Sequence, residues 1–330
     1  MELEYPHSDI SIQSSPERKK TLLIKLGKVF LHLCLFLFSI VTLCFILSHM
    51  MPGDPFQEEQ GLPTEVMQAL RHKWGLDQPL YKQYFAYINQ VFHGDLGTSL
   101  RYPSESVIKI IVRGFPISFV LGLQALCIAL PLGALLGALS ATYANKRLDV
   151  ATTLCATLGI SMPSFVVAAT LQLVLATLLP IFPVARGGNF FHLILPSLAL
   201  ALGPTCSIMR LMRANTLDIL SKEWVVTARM KGLSEKNVLL YHVAPNAMLP
   251  VFHYIGPTIA NLLVGSFVVE RVFSLPGLGQ WFVNGVITRD YTVISGLTLF
   301  YSLVLFSVNC FINIITVFFD PRMSAKYGKT

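Results

Sequence analysis

FPISFVLGLQALCIALPLGALLGALSAT, residues 115–142, contains no Asp, Glu, Lys or Arg. A helix needs about 20 apolar residues to cross roughly 30 Å of hydrocarbon, so this stretch reads as a membrane span. Comparable runs lie at 29–49, 150–180, 190–209, 249–269 and 293–319, and none of them carries Asp, Glu, Lys or Arg. The expected fold is therefore an all-α integral membrane protein with six transmembrane helices. The run at 150–180 is too long for one straight span, and Gly159 and Pro163 mark where it would break. Pro131, Pro180, Pro196 and Pro257 mark further kinks or helix ends.

Composition excludes the main alternatives. Of 330 residues, 53% are hydrophobic and 13% charged, with a mean hydropathy of +0.60. A soluble domain carries about a quarter charged residues, and a disordered chain is charge-rich and poor in aromatics. The net charge of +7 has a topological rather than a nucleic-acid explanation. Sixteen of the 25 Lys and Arg lie in the N-terminal segment, the loop after the second run, the 210–248 segment and the tail. The positive-inside rule places these segments, and both termini, in the cytoplasm. No small-residue cleavage site follows the first run, where Ser48-His49-Met50-Met51-Pro52 stands, so an uncleaved first helix is expected. All six cysteines sit in apolar runs without metal or disulfide spacing and read as small buried hydrophobes.

The resulting organisation is a basic cytoplasmic extension at 1–28, disordered over 1–20, and a first transmembrane helix at 29–49. A helical external insertion follows at 50–114. A core at 115–319 then holds five transmembrane helices and a loop at 210–248, and a cytoplasmic tail occupies 320–330. Within the insertion, Pro79 suits a first helical turn, Leu80, Tyr84, Tyr87, Ile88 and Val91 recur on one face, and Gly94 ends the helix. That face is expected to pack against the membrane domain or a partner rather than touch substrate. In the internal loop, Ser221 can cap a helix with Glu223 in its first turn and Trp224, Val225 and Ala228 on an apolar face. Gly232 suits a left-handed C-terminal turn, and Ser234 and Glu235 open a second helix towards Pro245. Small residues at Ala228 and Gly232 would let another protein approach the backbone. The competing reading is an amphipathic helix resting on lipid head groups.

Glu223, Ala228, Gly232 nine residues after the glutamate, and Leu249-Pro250 resemble the signature loop of binding-protein-dependent ABC importer permeases. Thr227-Ala228-Arg229-Met230-Lys231-Gly232-Leu233 is similar to the loop of the dipeptide/oligopeptide/nickel branch, although Trp224-Val225-Val226 replaces a stretch where the wider family has a second alanine. Pro52-Gly53-Asp54-Pro55, Gly75-Leu76-Asp77-Gln78-Pro79, His93-Gly94-Asp95-Leu96-Gly97, Leu275-Pro276-Gly277-Leu278-Gly279-Gln280 and Arg289-Asp290-Tyr291 resemble external motifs of that branch, over roughly residues 22–323. Leu62-Pro63-Thr64-Glu65-Val66-Met67 and Val283-Asn284-Gly285 look most like the B-type subunit of oligopeptide permeases. The resemblance implies a non-enzymatic transport subunit of the bacterial inner membrane. Its partners would be a second homologous permease, two cytoplasmic ATPases, an external binding protein or lipoprotein, a peptide substrate and membrane lipid, but no nucleic acid. It further implies that residues 222–232 dock on an ATPase, with Glu223, Trp224, Ala228, Arg229 and Gly232 at the coupling site. ATP and magnesium would be bound by the partner subunits and no cofactor by this chain.

The C-terminal Gly328-Lys329-Thr330 imitates the end of a P-loop, but Met323 stands where a glycine is required and no helix follows to cradle phosphate. An ion-coupled carrier would ordinarily place a titratable group within a span, and the six runs offer only amides such as Gln124, Gln172, Asn261, Asn309 and Asn313. An intramembrane enzyme would need a catalytic constellation, whereas His32, His49, His192, His242 and His253 are scattered without an H-E-x-x-H or G-x-S-x-G pattern. Within the resembled branch, dipeptide and nickel transport remain the alternatives to oligopeptides.

Overall fold

The structure, a computed structural model, describes residues 15–50, 64–183, 190–264 and 267–319. Pro52, Gly53, Asp54 and Pro55, and the C-terminal Gly-Lys-Thr, lie outside the described residues. The described chain is helical, with a single isolated β-bridge between Thr98 and Ser106. In chain order the helices are α1 (Ser15–Met50), α2 (Thr64–Lys73), α3 (Leu80–Phe92), α4 (Val107–Thr142), α5 (Arg147–Ser161), α6 (Ser164–Leu171), α7 (Ile194–Leu220) and α8 (Glu223–Met230). They continue with α9 (Glu235–Asn237), α10 (Ala244–Val264), α11 (Phe267–Val272), α12 (Leu278–Ile287) and α13 (Tyr291–Phe319).

Four stretches are long and apolar enough to cross a membrane: Leu31–Met50, Val107–Thr142, Phe191–Leu220 and Tyr291–Ile312. The bent pair Arg147–Ser161 and Ser164–Leu178, turned by 102°, makes a fifth if its two helices form one span. The bend falls at Met162-Pro163, because a residue before proline is driven out of helical geometry. The expected break is thus at Pro163, whereas Gly159 serves a helix contact. The sixth expected span, 249–269, falls on α10 and runs into residues 265–266, which lie outside the described residues. The N-terminal extension is helical from Ser15 onward, a correction to the disorder expected over residues 15–20.

The helices also extend beyond the apolar runs, so the spans are less free of charge than the sequence suggests. α7 includes Arg213, and α5 begins with Arg147 and Asp149. A second correction concerns the cysteines. Cys206 alone among them is buried by the chain, while Cys34, Cys127 and Cys155 face outward.

α4 and α7 form the most extensive helix pair. Leu121, Ala125, Ala129, Gly133, Gly137 and Ala141 recur every fourth residue along the buried side of α4. A β-carbon at Gly133 would stand 2.8 Å from Ile208 Cβ, and one at Gly137 would stand 2.7 Å from Met212 Cβ. Between membrane helices, where lipid supplies no hydrophobic drive, such small residues permit close backbone approach and dispersion contact. α5 joins the same pair through Ala156, Cys206 and Met209, with Gly159 against the Cys206 sulfur. The main core gathers α4, α6, α7 and α10 around Leu121, Val167, Leu195, Ala199, Val251 and Phe273.

α1 packs along α13 and otherwise leaves its apolar side chains open, as a helix bordering lipid would. At its C-terminal end it meets α3. The Thr42 hydroxyl lies 2.7 Å from the Tyr84 hydroxyl, His49 Nε2 lies 3.0 Å from Gln83 Oε1, and the Phe45 ring contacts those of Tyr84 and Tyr87. The expected packing of Tyr84 and Tyr87 on the membrane domain is therefore present, whereas Leu80 is exposed.

Candidate functional site

α7 projects past the apolar part of its span and hands the chain to a compact loop. Helix α8 starts at Glu223, with Lys222 as the N-terminal boundary residue. Ser221 is not the cap; its hydroxyl donates back to the Asp218 carbonyl at 2.7 Å, a local bond that competes with capping. Glu223 is exposed in the first turn of α8, where a carboxylate complements the helix dipole. Val225 and Ala228 face inward and form a small core with Val238 and Val243. Two expectations change here. Trp224 does not join that buried face but stands 44% exposed, and Ala228 packs against its own chain rather than presenting backbone to a partner.

Gly232 turns the chain at φ +83°, and a β-carbon added there would meet no heavy atom within 4 Å. The left-handed turn is thus present, and open space surrounds it. Ser234 then caps α9, accepting from the Asn237 N–H at 3.4 Å. The second helix runs to Pro245 as expected and does not stop there. It continues through a π-helical turn, Val238–Val243, into α10, which contains Pro250 and Pro257 in its interior. A bidentate pair from Arg229 to Glu235, 2.9 and 3.1 Å, straddles the glycine turn. Leu249 is half-buried and Pro250 exposed, one helical stretch beyond the turn. Outward stand Trp224, Val226, Met230, Leu233 and Tyr241, with Met230 83% exposed. The loop is therefore pinned from inside and apolar outside.

Behind the loop lies a cluster that sequence reading did not single out. Asp149, 3% exposed, receives Arg213 Nε at 2.6 Å and Nη2 at 2.8 Å. It also accepts from the Ser140 hydroxyl at 2.6 Å and the Asn145 N–H at 2.8 Å. One carboxylate thus ties α4, the α4–α5 turn, α5 and α7 together. Arg213 sits two helical turns before the end of α7, so the helix that feeds α8 is clamped to the broken span.

The opposite end of the bundle is built on two further buried carboxylates. Glu270 of α11, 1% exposed, accepts from the Gly279 N–H at 2.7 Å. A β-carbon at Gly279 would stand 2.7 Å from its Oε2, and one at Gly277 would collide with the same oxygen. Ser118 of α4 accepts the Leu278 N–H at 3.0 Å. Gly277 and Gly279 therefore wrap a carboxylate, which explains why small residues occur there, while Pro276 stands exposed beside them. Asp290 caps α13 through the Val293 N–H at 3.1 Å and takes the Ser99 hydroxyl at 2.5 Å, joining the 95–106 loop to the last helix. Between α1, α3 and α13 opens a cavity of about 480 Å³, bordered by His49, Gln83, Gln90, Asp95 and Tyr291. Among the described residues no cluster of three His, Cys, Asp or Glu side chains could hold a metal ion.

Known proteins match this chain over nearly its whole length. Residues 129–325 match the family described as "Binding-protein-dependent transport system inner membrane component", and residues 23–122 match its N-terminal companion. The dipeptide transport system permease protein DppB of Bacillus subtilis is 40% identical over 284 residues, 86% of this chain and 92% of the relative. The oligopeptide transport system permease protein OppB of Haemophilus influenzae is 38% identical over 289 residues, 87% and 94% of the two chains. A solved amino acid ABC transporter chain aligns more distantly, with TM-score 0.46 at 18% identity over 64% of this chain and 94% of its own.

Proposed function

The chain belongs to the inner membrane components of binding-protein-dependent transport systems, in the group that includes dipeptide and oligopeptide permeases, and from that premise we propose that it forms half of an oligopeptide import path. The other half is a second, homologous permease, since one chain offers one coupling loop while two ATPases must be engaged. Peptide arrives on an external binding protein. ATP and magnesium belong to two cytoplasmic ATPase subunits, and this chain itself catalyses nothing. Both termini and the α8 loop lie in the cytoplasm, as the distribution of positive charge requires.

The observation that carries this reading is α8 itself. A helix resting on lipid would bury its apolar face in the membrane. Here Val225 and Ala228 are already spent on an internal core, and a second apolar set, Trp224, Val226 and Met230, is left outward beside the charged Glu223 and Arg229. That arrangement suits a protein groove. When the ATPases close, α8 moves with its docking surface, α7 moves with α8, and the Asp149–Arg213 clamp carries the displacement into α5 and the bent span. Leu249 and Pro250 sit on α10, the other arm of the loop, and transmit to the far side of the core. Dipeptides form the second reading of the substrate, supported by a dipeptide permease relative at 40% identity beside an oligopeptide relative at 38%.

The test is Gly232→Val. At positive φ a branched side chain costs about 1–2 kcal/mol, and it would occupy the open space where a partner backbone approaches. Peptide uptake should be abolished and ATPase recovery on copurification reduced, with the chain still inserted and abundant. Normal uptake together with normal ATPase recovery would remove the loop from the coupling path.

A further inference from the structure

We propose that α3 lies within the lipid head-group layer, with Tyr81, Phe85 and Phe92 forming its membrane-facing side. The inference needs only that α1 crosses the bilayer, and it stands apart from the substrate and coupling readings.

Depth is set by α1. Its apolar run, 29–49, has the length of one bilayer crossing and ends just before Pro52-Gly53-Asp54, so the hydrocarbon boundary lies at about Met50. Thr42, whose hydroxyl meets Tyr84, stands eight residues before that boundary, about 12 Å at the helical rise. Phe45 and His49, which meet Tyr84, Tyr87 and Gln83, follow at successive turns up to it. α3 is thereby held against the last turns of a lipid-bordering span, not lifted clear of the membrane on a loop.

The three sides of α3 are then assigned. Tyr84 and Tyr87 face α1, and Lys82, Gln83, Ala86 and Gln90 face the 480 Å³ cavity. The third side holds Tyr81, Phe85 and Phe92, four and eleven residues apart and therefore on one helical face. These are 61%, 66% and 82% exposed. Aromatic side chains at this depth sit favourably at the membrane–water boundary, where an amphipathic helix lies in the plane of the head groups. The same stretch of α1 leaves Leu43, Ile46 and Leu47 open, as side chains covered by lipid would be.

The experiment replaces Phe85 and Phe92 singly with p-benzoyl-phenylalanine in the full chain, with Lys82→p-benzoyl-phenylalanine as the polar-side control. Native membranes are irradiated and the purified chain is weighed by intact mass spectrometry. Phospholipid-mass adducts at positions 85 and 92, lost at 82, are expected. Adducts to the second permease, to a binding protein or to any other polypeptide would overturn the proposal. Equal lipid adducts at all three positions, or none at 85 and 92, would overturn it as well. Tyr81 supplies a further position on the same face should either substitution prevent insertion.

Discussion

Asp149 accepts four hydrogen bonds, and a carboxylate offers about four acceptor sites, so the group is saturated without water. Such a site is strongly asymmetric to mutation. Removing one partner of a buried pair costs about 3–5 kcal/mol because a charge is left alone, whereas replacing both by apolar residues is often near neutral. Asp149→Asn is therefore expected to lower the thermal unfolding midpoint of the solubilised protein clearly. The double variant Asp149→Leu with Arg213→Met should recover part of the loss, though Ser140 and the Asn145 N–H remain without their acceptor. Equal midpoints for wild type and Asp149→Asn would show that the pair is not stabilising. Neither residue was legible beforehand. Asp149 stands just outside the run at 150–180, and Arg213 reads as one more positive charge after a span. Glu270 escaped notice for the same reason, since a charge at the end of an apolar run looks like a solvated boundary. Only the packing of other elements over these ends turns boundary charges into buried ones.

Helix α4 carries its specificity in what it lacks. A β-carbon at Gly137 would stand 2.7 Å from Met212 Cβ and 3.1 Å from the Arg213 nitrogen, whereas one at Gly203 of α7 meets nothing within 4 Å. The two glycines should thus respond oppositely to alanine. At Gly203 the gain in helix propensity, up to about 1 kcal/mol, is unopposed. At Gly137 overpacking costs about 1–3 kcal/mol because helix backbones, not flexible tips, must move. Thermal unfolding should show Gly137→Ala below wild type and Gly203→Ala at or above it; the reverse order would mean the α4–α7 contact is looser than described. The apolar runs announced most of these helices, since hydrophobic length is a direct requirement of the bilayer. Their partners were not announced, because in lipid a lone helix face and a packed one are equally apolar. The four-residue repeat from Ala125 to Ala141 was a readable signal for the α4 interface. The glycine turn at 232 was readable too, as its chemistry is local, while the inward rotation of Ala228 depends on Val238 and Val243 and was not.

At the scale of the whole molecule, the arrangement separates two ends of one bundle. At one end α8, the glycine turn and α9 stand on a small core of their own. At the other, Glu270 and Asp290 lock the loops that lead into α12 and α13. Energy supplied at the first end can reach the second only if the bundle crosses the membrane between them with the positive loop inside. That orientation rests on charge distribution, and single-residue accessibility checks it. Lys231 is exposed beside the glycine turn and Ser104 is exposed in the 95–106 loop, so either accepts a cysteine without loss of a buried contact. The native cysteines all lie in membrane-spanning runs, where a membrane-impermeant maleimide reacts slowly for want of water and thiolate. In intact spheroplasts, Ser104→Cys should label rapidly and Lys231→Cys should label only after the membrane is opened. A chain with the opposite orientation would exchange the two results, and its α8 loop would face a compartment without ATP, so the coupling reading would fall with the topology.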